Sequence, residues 1–341
     1  WAFFGVENRD LFDGKSPWLD QGLMNVARFM VRGVFLRNLA TDQALYQEGE
    51  AVKPRVIVQN TGRQVVTGQV RFSVADADRA GVLAWSASQP FTVTPGESVT
   101  VTAVWQPGRF DGDTYQARAT LIVDGAPVDE MSTGFLVQRP AVRAKGPTLR
   151  MEGNYFTLNG RPMFLFGSDT YANTYKSSSE NPWTWHLDHL AARDFGFNLY
   201  ENLQYCNPDY TYSEAEWRQF AAMAQSTQRE GLVFMPCQLC GHDVAISDEL
   251  LAKQAAASTA YGEHLRDVPG LLYYLNGDFQ FTRKDTTTLT ALWNRWLADK
   301  YRAEAAWRAA WGEEVYGEWG RLAYPPPTPR GWDSVRQCDV A

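Results

Sequence analysis

Four short apolar segments in the second half of the chain each end in side chains that can bind hydroxyl groups. The segments are 163–169, 197–204, 232–239 and 271–278. The polar residues at their ends are Ser168, Asp169 and Tyr171; Glu201, Asn202 and Gln204; Gln238, His242 and Asp243; and Asn276 and Asp278. Core packing does not explain why polar residues occur at the same position, the end, of four successive strands. A shared rim that binds a hydroxyl-rich ligand explains them together.

Helical periodicity separates and follows these segments, at 184–196, 213–231, 247–265 and 285–301. Ser213 and Glu216 have the spacing of a capping box, and Gly196 and Gly231 stand where helices should stop. Strand–helix alternation predicts a parallel α/β unit, and four such units are half of a (β/α)8 TIM barrel. A four-stranded open sheet is the rival fold. No glycine-rich phosphate loop follows any strand, so dinucleotide binding is not supported.

The first half of the chain has a period of two instead. Seven short alternating segments with turn residues between them run from 34 to 138, which predicts an immunoglobulin-like β-sandwich. Residues 139–147 are polar and are expected to form a linker, and residues 1–33 stay unassigned. The sequence therefore predicts a multidomain protein in which the sandwich is followed, over 148–341, by the first half of the barrel.

Composition excludes some classes of protein. The formal net charge of −7 over 341 residues argues against non-specific binding to nucleic acid or to an anionic membrane surface. No run approaches the roughly 18 apolar residues of a membrane-spanning helix. The 13 Trp, 15 Tyr and 18 Phe residues would suit the C–H faces of sugars, although aromatic rings are also good core residues.

Three stretches resemble one family of enzymes: 154–171 (NYFTLNGRPMFLFGSDTY), 190–203 (LAARDFGFNLYENL) and 292–319, which begins LWNRWLADKY. They are similar to retaining β-glycosidases of glycoside hydrolase clan A, which includes the β-galactosidases of families 2, 35 and 42. The resemblance implies a carbohydrate substrate, no cofactor, and hydrolysis by double displacement. It also implies an acid/base at the end of the fourth strand and a nucleophile at the end of the seventh, roughly 5 Å apart.

The acid/base position departs from the family pattern, in which an Asn is followed directly by the catalytic Glu. Asn276 matches the Asn, Gly277 stands in place of the Glu, and Asp278 comes one residue late. Asp278 could be the acid if the strand end bulges, a substrate ligand, or part of an Asn-Gly-Asp turn. Their position at the strand ends predicts substrate contacts for seven residues: Asp169, Tyr171, Glu201, Asn202, Gln204, His242 and Asp243. For Glu201, an ion-pair role and a catalytic role are the alternatives.

Strands five to eight of such a barrel are not in this sequence, so the nucleophile would lie outside it. The chain starts at Trp1 and stops in what reads as the start of a helix, and we expect a fragment or a processed piece. The rest of the barrel would come from downstream sequence or from another chain. The alternative to an enzyme is a carbohydrate-binding or assembly fragment whose barrel site has decayed or is incomplete.

Four cysteines lie in the C-terminal part. Cys206, Cys237, Cys240 and His242 could surround a zinc ion, but a single C-x-x-C is a weak motif. Free thiols or a disulfide of Cys206 are favoured over zinc, and no metal is expected. Cysteine usage leaves the compartment open, and a secreted or periplasmic location is weakly favoured.

Overall fold

The computed structural model describes residues 17–79, 81–170, 182–202, 211–236, 247–273, 286–311 and 318–323. These residues belong to two compact units. The first unit contains the antiparallel strands and a parallel sheet with its helices. The second contains the helices near the end of the chain and most of the helix over 248–265, whose last five residues belong to the first unit. No described helix is long and apolar enough to cross a membrane.

A helix, α1 (Pro17–Arg32), precedes the antiparallel part of the first unit. The strands that follow are β1 (Val34–Ala40), β2 (Leu45–Tyr46), β3 (Arg55–Asn60), β4 (Val66–Asp76), β5 (Val82–Val93), β6 (Ser98–Thr102), β7 (Thr114–Val123) and β8 (Ala126–Val137). They form one sheet of order β1-β3-β6 and a second of order β2-β8-β7-β4-β5. Val58, Phe72 and Leu121, from both sheets, are buried in one core between them.

The period-two pattern is confirmed in these strands. Buried and more exposed residues alternate along β3, where Val56 and Val58 have no exposed surface. Asp124 and Gly125 join β7 to β8 with φ angles of 52° and 76°, the positive values that a two-residue hairpin requires. Two strands are longer than the rest of the sandwich pattern indicates, β5 from Val82 and β8 from Ala126. Their first halves are largely exposed and lack an apolar alternation.

Residues 139–147 are ordered by ion pairs. They contain the short helix α2 (Pro140–Arg143). Arg139 pairs with Glu48 and, at 2.7 Å, with Asp113. Arg143 donates from Nε to Asp267 at 3.0 Å. The polar residues that predicted a linker are therefore partners of distant carboxylates.

The second half of the first unit starts with a small antiparallel sheet of β9 (Leu149–Glu152), β10 (Tyr155–Leu158) and β11 (Arg161–Met163). A parallel sheet follows, in the order β12 (Gly167–Thr170), β13 (Leu199–Asn202) and β14 (Val233–Pro236). An isolated parallel bridge from Phe234 to Leu271 adds a fourth strand position beside β14. Backbone bonds support it, from Phe234 to Gly270 at 2.8 Å and from Leu272 to Phe234 at 2.9 Å.

Helices connect these parallel strands: α3 (Pro182–Asp194), α4 (Glu214–Arg229) and α5 (Asp248–Leu265). The predicted capping box is confirmed, because Ser213 and Glu216 exchange the two expected bonds at the start of α4. Phe220 and Met223 of α4 pack with Phe234 of β14 and with Tyr261 of α5. The apolar face of α4 thus covers one face of the parallel sheet.

The described part of the second unit is organised by tryptophan. Besides residues 248–260 of α5, it contains α6 (Thr286–Tyr301) and α7 (Glu304–Trp311), with residues 318–323 beside them. Trp293, Trp307 and Trp311 are buried in one cluster, so the tryptophans of these helices are mainly core residues. Trp296 is the exception, with 41% of its surface exposed.

Helix α4 also attaches the sandwich to the parallel sheet. The buried side-chain amide of Gln225 donates to the Val137 carbonyl at 2.8 Å and accepts from the Arg139 amide at 2.7 Å. Arg229 donates to both oxygens of Asp78, at 3.0 and 2.6 Å, and to Thr114 at 2.9 Å. The end of β8 is therefore hydrogen-bonded by Gln225 of α4, which follows Val137 by 88 residues in the sequence.

We expect Gln225→Met to lower the free energy of unfolding by roughly 2 to 4 kcal/mol, because it leaves a backbone carbonyl and a backbone amide buried without partners. Urea denaturation measures the change. Gln69→Met, at an exposed position of β4, is the matched control and should change stability little. A loss below about 0.5 kcal/mol for Gln225→Met would show that the attachment of α4 to the sandwich does not depend on this amide.

Candidate active site

The polar ends of β12 and β13 lie side by side. Asp169 of β12 is the Cα partner of Glu201 of β13, and Glu201 is in turn the partner of Met235 of β14. Neighbouring strands are about 4.8 Å apart, so two acidic residues occupy adjacent positions at the carboxyl edge of the sheet. The sequence predicted that polar residues would meet at this edge. The register places Asp169 and Glu201 at neighbouring positions of this edge, and their role in a site stays a prediction.

The two faces of the sheet differ. Tyr200 and its partner Phe234 are fully buried, Tyr200 near α3 and Phe234 against α4 and α5. Strand alternation places Glu201 and Met235 on the other face, where both are half-buried. Glu201 therefore points away from the helices, on the face that a ligand could reach.

Asn202 has a different position. It follows Glu201 in β13, so alternation places it on the helix-covered face, and it has no exposed surface. Neither its amide nitrogen nor its amide oxygen has a hydrogen-bond partner among the described residues. Burying such a group without a hydrogen-bond partner lowers the free energy of unfolding by about 1 to 3 kcal/mol. Its role as a substrate ligand stays a prediction.

The remaining site residues lie outside the described part of the chain. They are Tyr171, Gln204, Gln238, His242, Asp243, Asn276, Gly277 and Asp278, together with Cys206, Cys237 and Cys240 of the zinc hypothesis. The backbone of Asp169 is described and its side chain is not. Within the described ranges no group of three His, Cys, Asp or Glu residues could hold a metal ion.

Two residues that position the sheet were missed by sequence reasoning. Gln228 of α4 donates from Nε2 to the Leu232 carbonyl at 3.0 Å and accepts at Oε1 from the Gly270 amide at 3.0 Å. One buried amide thus connects the starts of β14 and the fourth strand position. Its neighbour Ser226 is also fully buried. The available signal was the run Gln225-Ser226-Thr227-Gln228, which no one-sided apolar pattern accommodates.

Two histidines of α3 converge on Ser226. The Nδ1 atoms of His186 and His189 lie 3.1 and 2.8 Å from the Ser226 hydroxyl oxygen. One hydroxyl hydrogen can satisfy only one ring nitrogen, so at least one imidazole donates its own Nδ1 proton to Ser226. The His189 ring also contacts Tyr200 edge to face, with centroids 4.2 Å apart. The two histidines therefore dock α3 on α4 and β13.

Burial sets the charge state of both imidazoles. It lowers the pKa of His186 to about 4, aided by the positive charge of Arg229 and, to a smaller extent, of Arg193, whereas Asp78 opposes the shift. Burial also lowers the pKa of His189 well below its ordinary value, with His186 as the second cause. Both rings are thus neutral at pH 7.

A lowered pKa in the folded state makes stability depend on pH. The unfolded chain binds a proton on His186 near pH 6.5, whereas the folded chain resists it until about pH 4. The stabilisation is complete above pH 6.5 and is lost as the pH falls towards 4. We expect this one group to account for roughly 2 to 3 kcal/mol of the stability lost between pH 7 and 4.5.

Urea denaturation of the wild type and of His186→Gln at both pH values tests this. We expect His186→Gln to have a lower free energy of unfolding than the wild type at pH 7. Its free energy of unfolding should also fall less between pH 7 and 4.5. Gln69→Met, the exposed substitution in β4, is the control and should keep the wild-type loss. Equal losses in all three proteins would contradict the assignment.

No protein-family model matches the chain, and no curated protein sequence matches it. Solved structures of glycoside hydrolases are similar over part of their length. A putative β-galactosidase from Bacteroides fragilis is 13% identical, covers 79% of this chain and 39% of its own, and has a TM-score of 0.36. A β-glucuronidase from Bacteroides uniformis is 16% identical, with coverages of 81% and 32% and a TM-score of 0.34. The exo-chitosanase of Amycolatopsis orientalis is 17% identical, with coverages of 71% and 28% and a TM-score of 0.30.

The chain thus spans between about a quarter and two fifths of the length of these enzymes. TM-scores of this size carry no argument about the fold or activity of this chain. The strand order and the contacts described above carry the interpretation that follows.

Proposed function

We propose that this chain is part of a retaining β-glycosidase that acts on galactoside-like carbohydrate. In this proposal an immunoglobulin-like sandwich precedes the first four β/α units of a (β/α)8 barrel. The observation that carries it is the strand order, in which β12, β13, β14 and the Leu271 position are parallel and adjacent in chain order. Acidic residues lie at the carboxyl edge of that sheet, where barrel enzymes have their active sites.

Chirality favours a barrel over an open sheet. Crossovers between parallel strands are right-handed in nearly all proteins, so strands added in one direction have all their helices on one face. The buried Tyr200 and Phe234 lie on that helix face. An open doubly wound sheet needs helices on both faces, whereas Leu199, Glu201 and Met235 on the opposite face are only half-buried. Closure of the sheet on itself would cover them.

Exposed phenylalanines near the free edge point to the same closure. Phe164 and Phe166, just before β12, are 83% and 54% exposed, and Phe195 at the end of α3 is 82% exposed. Large apolar side chains in this number close to β12, which has a strand partner on one side only within the described ranges, indicate a surface that another element covers. We propose that the remaining barrel strands, from further sequence or from another chain, are that element.

The proposed mechanism is double displacement with two carboxyl groups. Asp278 would protonate the leaving oxygen, Asn276 would orient the substrate, and the nucleophile would come with the missing strands. Glu201 and Asp169, adjacent at the sheet edge, would accept hydrogen bonds from sugar hydroxyls. The alternative is a non-catalytic carbohydrate-binding or assembly role, which the Gly277 departure favours.

We expect the 341-residue chain alone to hydrolyse no aryl β-glycoside, because one carboxyl group cannot perform double displacement. Release of nitrophenol from the purified chain, against a buffer blank, measures this. Turnover by a preparation that contains this chain and no other protein would contradict the half-barrel proposal.

In the complete enzyme, we expect Asp278→Asn to reduce kcat/KM by several orders of magnitude for substrates with poor leaving groups. The loss should be far smaller for activated aryl glycosides, whose departure needs little protonation. Added azide should restore part of the activity. Asp169→Asn is a matched carboxylate control and should affect both substrate classes similarly. Equal losses in Asp278→Asn would make Asp278 a substrate ligand, and no loss would make it a turn residue.

A further inference from the structure

A cleft of about 260 Å³ opens between strand β2, the end of β8 and the helices α4 and α5. It is distinct from the polar edge of the parallel sheet, because no residue of β12, β13 or β14 lines it. Polar and aromatic side chains dominate its lining, among them Gln47, Gln138, Arg143, Trp217, Arg218 and Glu263.

Arg218 is held rigidly in the wall. Its guanidinium donates to both oxygens of Glu50, at 2.8 and 3.0 Å, which is the two-point geometry of a strong pair. Nε donates to Glu214 at 3.2 Å, and Nη1 also reaches the Leu45 carbonyl at 3.4 Å. Four of its five N–H groups are therefore used, and one on Nη2 is left among the described residues.

Arg143 supplies further donors from α2. Its Nε and Nη2 atoms are bonded to Asp267. A guanidinium carries five N–H groups, so three remain. Both arginines are thus fixed by carboxylates and still have N–H groups to offer a ligand.

The acceptors and further donors are side chains that bond to nothing else described. The amide groups of Gln47 and Gln138 and the carboxylate of Glu263 have no hydrogen-bond partner within the described ranges, and each is at least partly exposed. Donors and acceptors therefore converge on one small space. A sugar hydroxyl matches such a set, because it donates one hydrogen bond and accepts others.

An aromatic group completes the wall. The Trp217 indole is stacked on the exposed His264 ring, with centroids 4.2 Å apart and planes 8° apart. Tyr261 supports it edge to face at 5.2 Å. A flat ring in a fixed orientation beside hydroxyl-binding groups suits the C–H face of a sugar.

Charge selects among hydroxyl-bearing ligands. The two guanidinium groups are outnumbered by four carboxylates: their partners Glu50, Glu214 and Asp267, and the unpaired Glu263. An anionic ligand would meet net repulsion. We propose that this cleft binds a single neutral sugar residue, at a site separate from the proposed catalytic edge.

Saturation-transfer NMR on the full chain tests the proposal with D-glucose, D-galactose, D-xylose and D-glucuronate as probes. We expect at least one neutral sugar to bind with a millimolar Kd and D-glucuronate to bind much more weakly. Gln138→Leu and Glu263→Leu should each weaken binding roughly 5-fold to 10-fold, the effect of losing one hydrogen bond. Gln64→Leu, at an exposed loop position far along the sandwich sequence, is the control and should leave the Kd unchanged.

Three results would overturn the proposal. No saturation transfer from any neutral sugar would remove the site, and equal binding of D-glucuronate would contradict the neutral ligand. Binding that survives Gln138→Leu and Glu263→Leu but is lost in Glu201→Gln would place the sugar at the parallel sheet. That last result would leave the proposed glycosidase function intact, so the two proposals fail separately.

Discussion

The structure of the first unit depends on the buried polar side chains of one helix. In α4, Gln225 bonds the end of strand β8, Ser226 contacts both histidines of α3, Gln228 bonds the starts of two parallel strands, and Arg229 bonds Asp78 of the sandwich. Burying any of these polar groups without a hydrogen-bond partner would lower the free energy of unfolding. The helix is therefore stable in this position only when all of its neighbours are in place. Sandwich, helices and parallel sheet become one cooperative body.

That body determines what the sheet can do. Because α3, α4 and the last residues of α5 pack on the same side of the parallel strands, the opposite side is left for a ligand and for further strands. Glu201 lies on that side with Asp169 at the adjacent position. The two histidines that pack behind β13 are neutral at pH 7. The acidic edge is thus supported from behind by a tightly packed layer in which both imidazoles are uncharged.

Features that depend on neighbours in sequence could be predicted from it. The capping box of Ser213 and Glu216 and the Asp124–Gly125 hairpin each require only a few consecutive residues. The pattern also predicts polar residues at the edge of the sheet, and their role as a site stays a prediction. Arg139 could not be placed in the same way, since its partner Glu48 lies 91 residues away and the sequence shows only a polar segment. The burial of Gln225 and Gln228 could not be predicted either, because their hydrogen-bond partners are distant in sequence. A polar run on a helix ordinarily indicates a face exposed to solvent.

The distance between Gln225 and Val137 also has a consequence for synthesis of the protein. The sandwich leaves the ribosome first, but the helix that completes its last strand is made 88 residues later. At about 5 to 20 residues per second, that interval is on the order of ten seconds. During it, the Val137 carbonyl, the Arg139 amide and the Thr114 hydroxyl must be solvated by water or held by a chaperone. The newly made sandwich therefore exposes a temporary polar seam, and the timing of α4 decides when that seam closes.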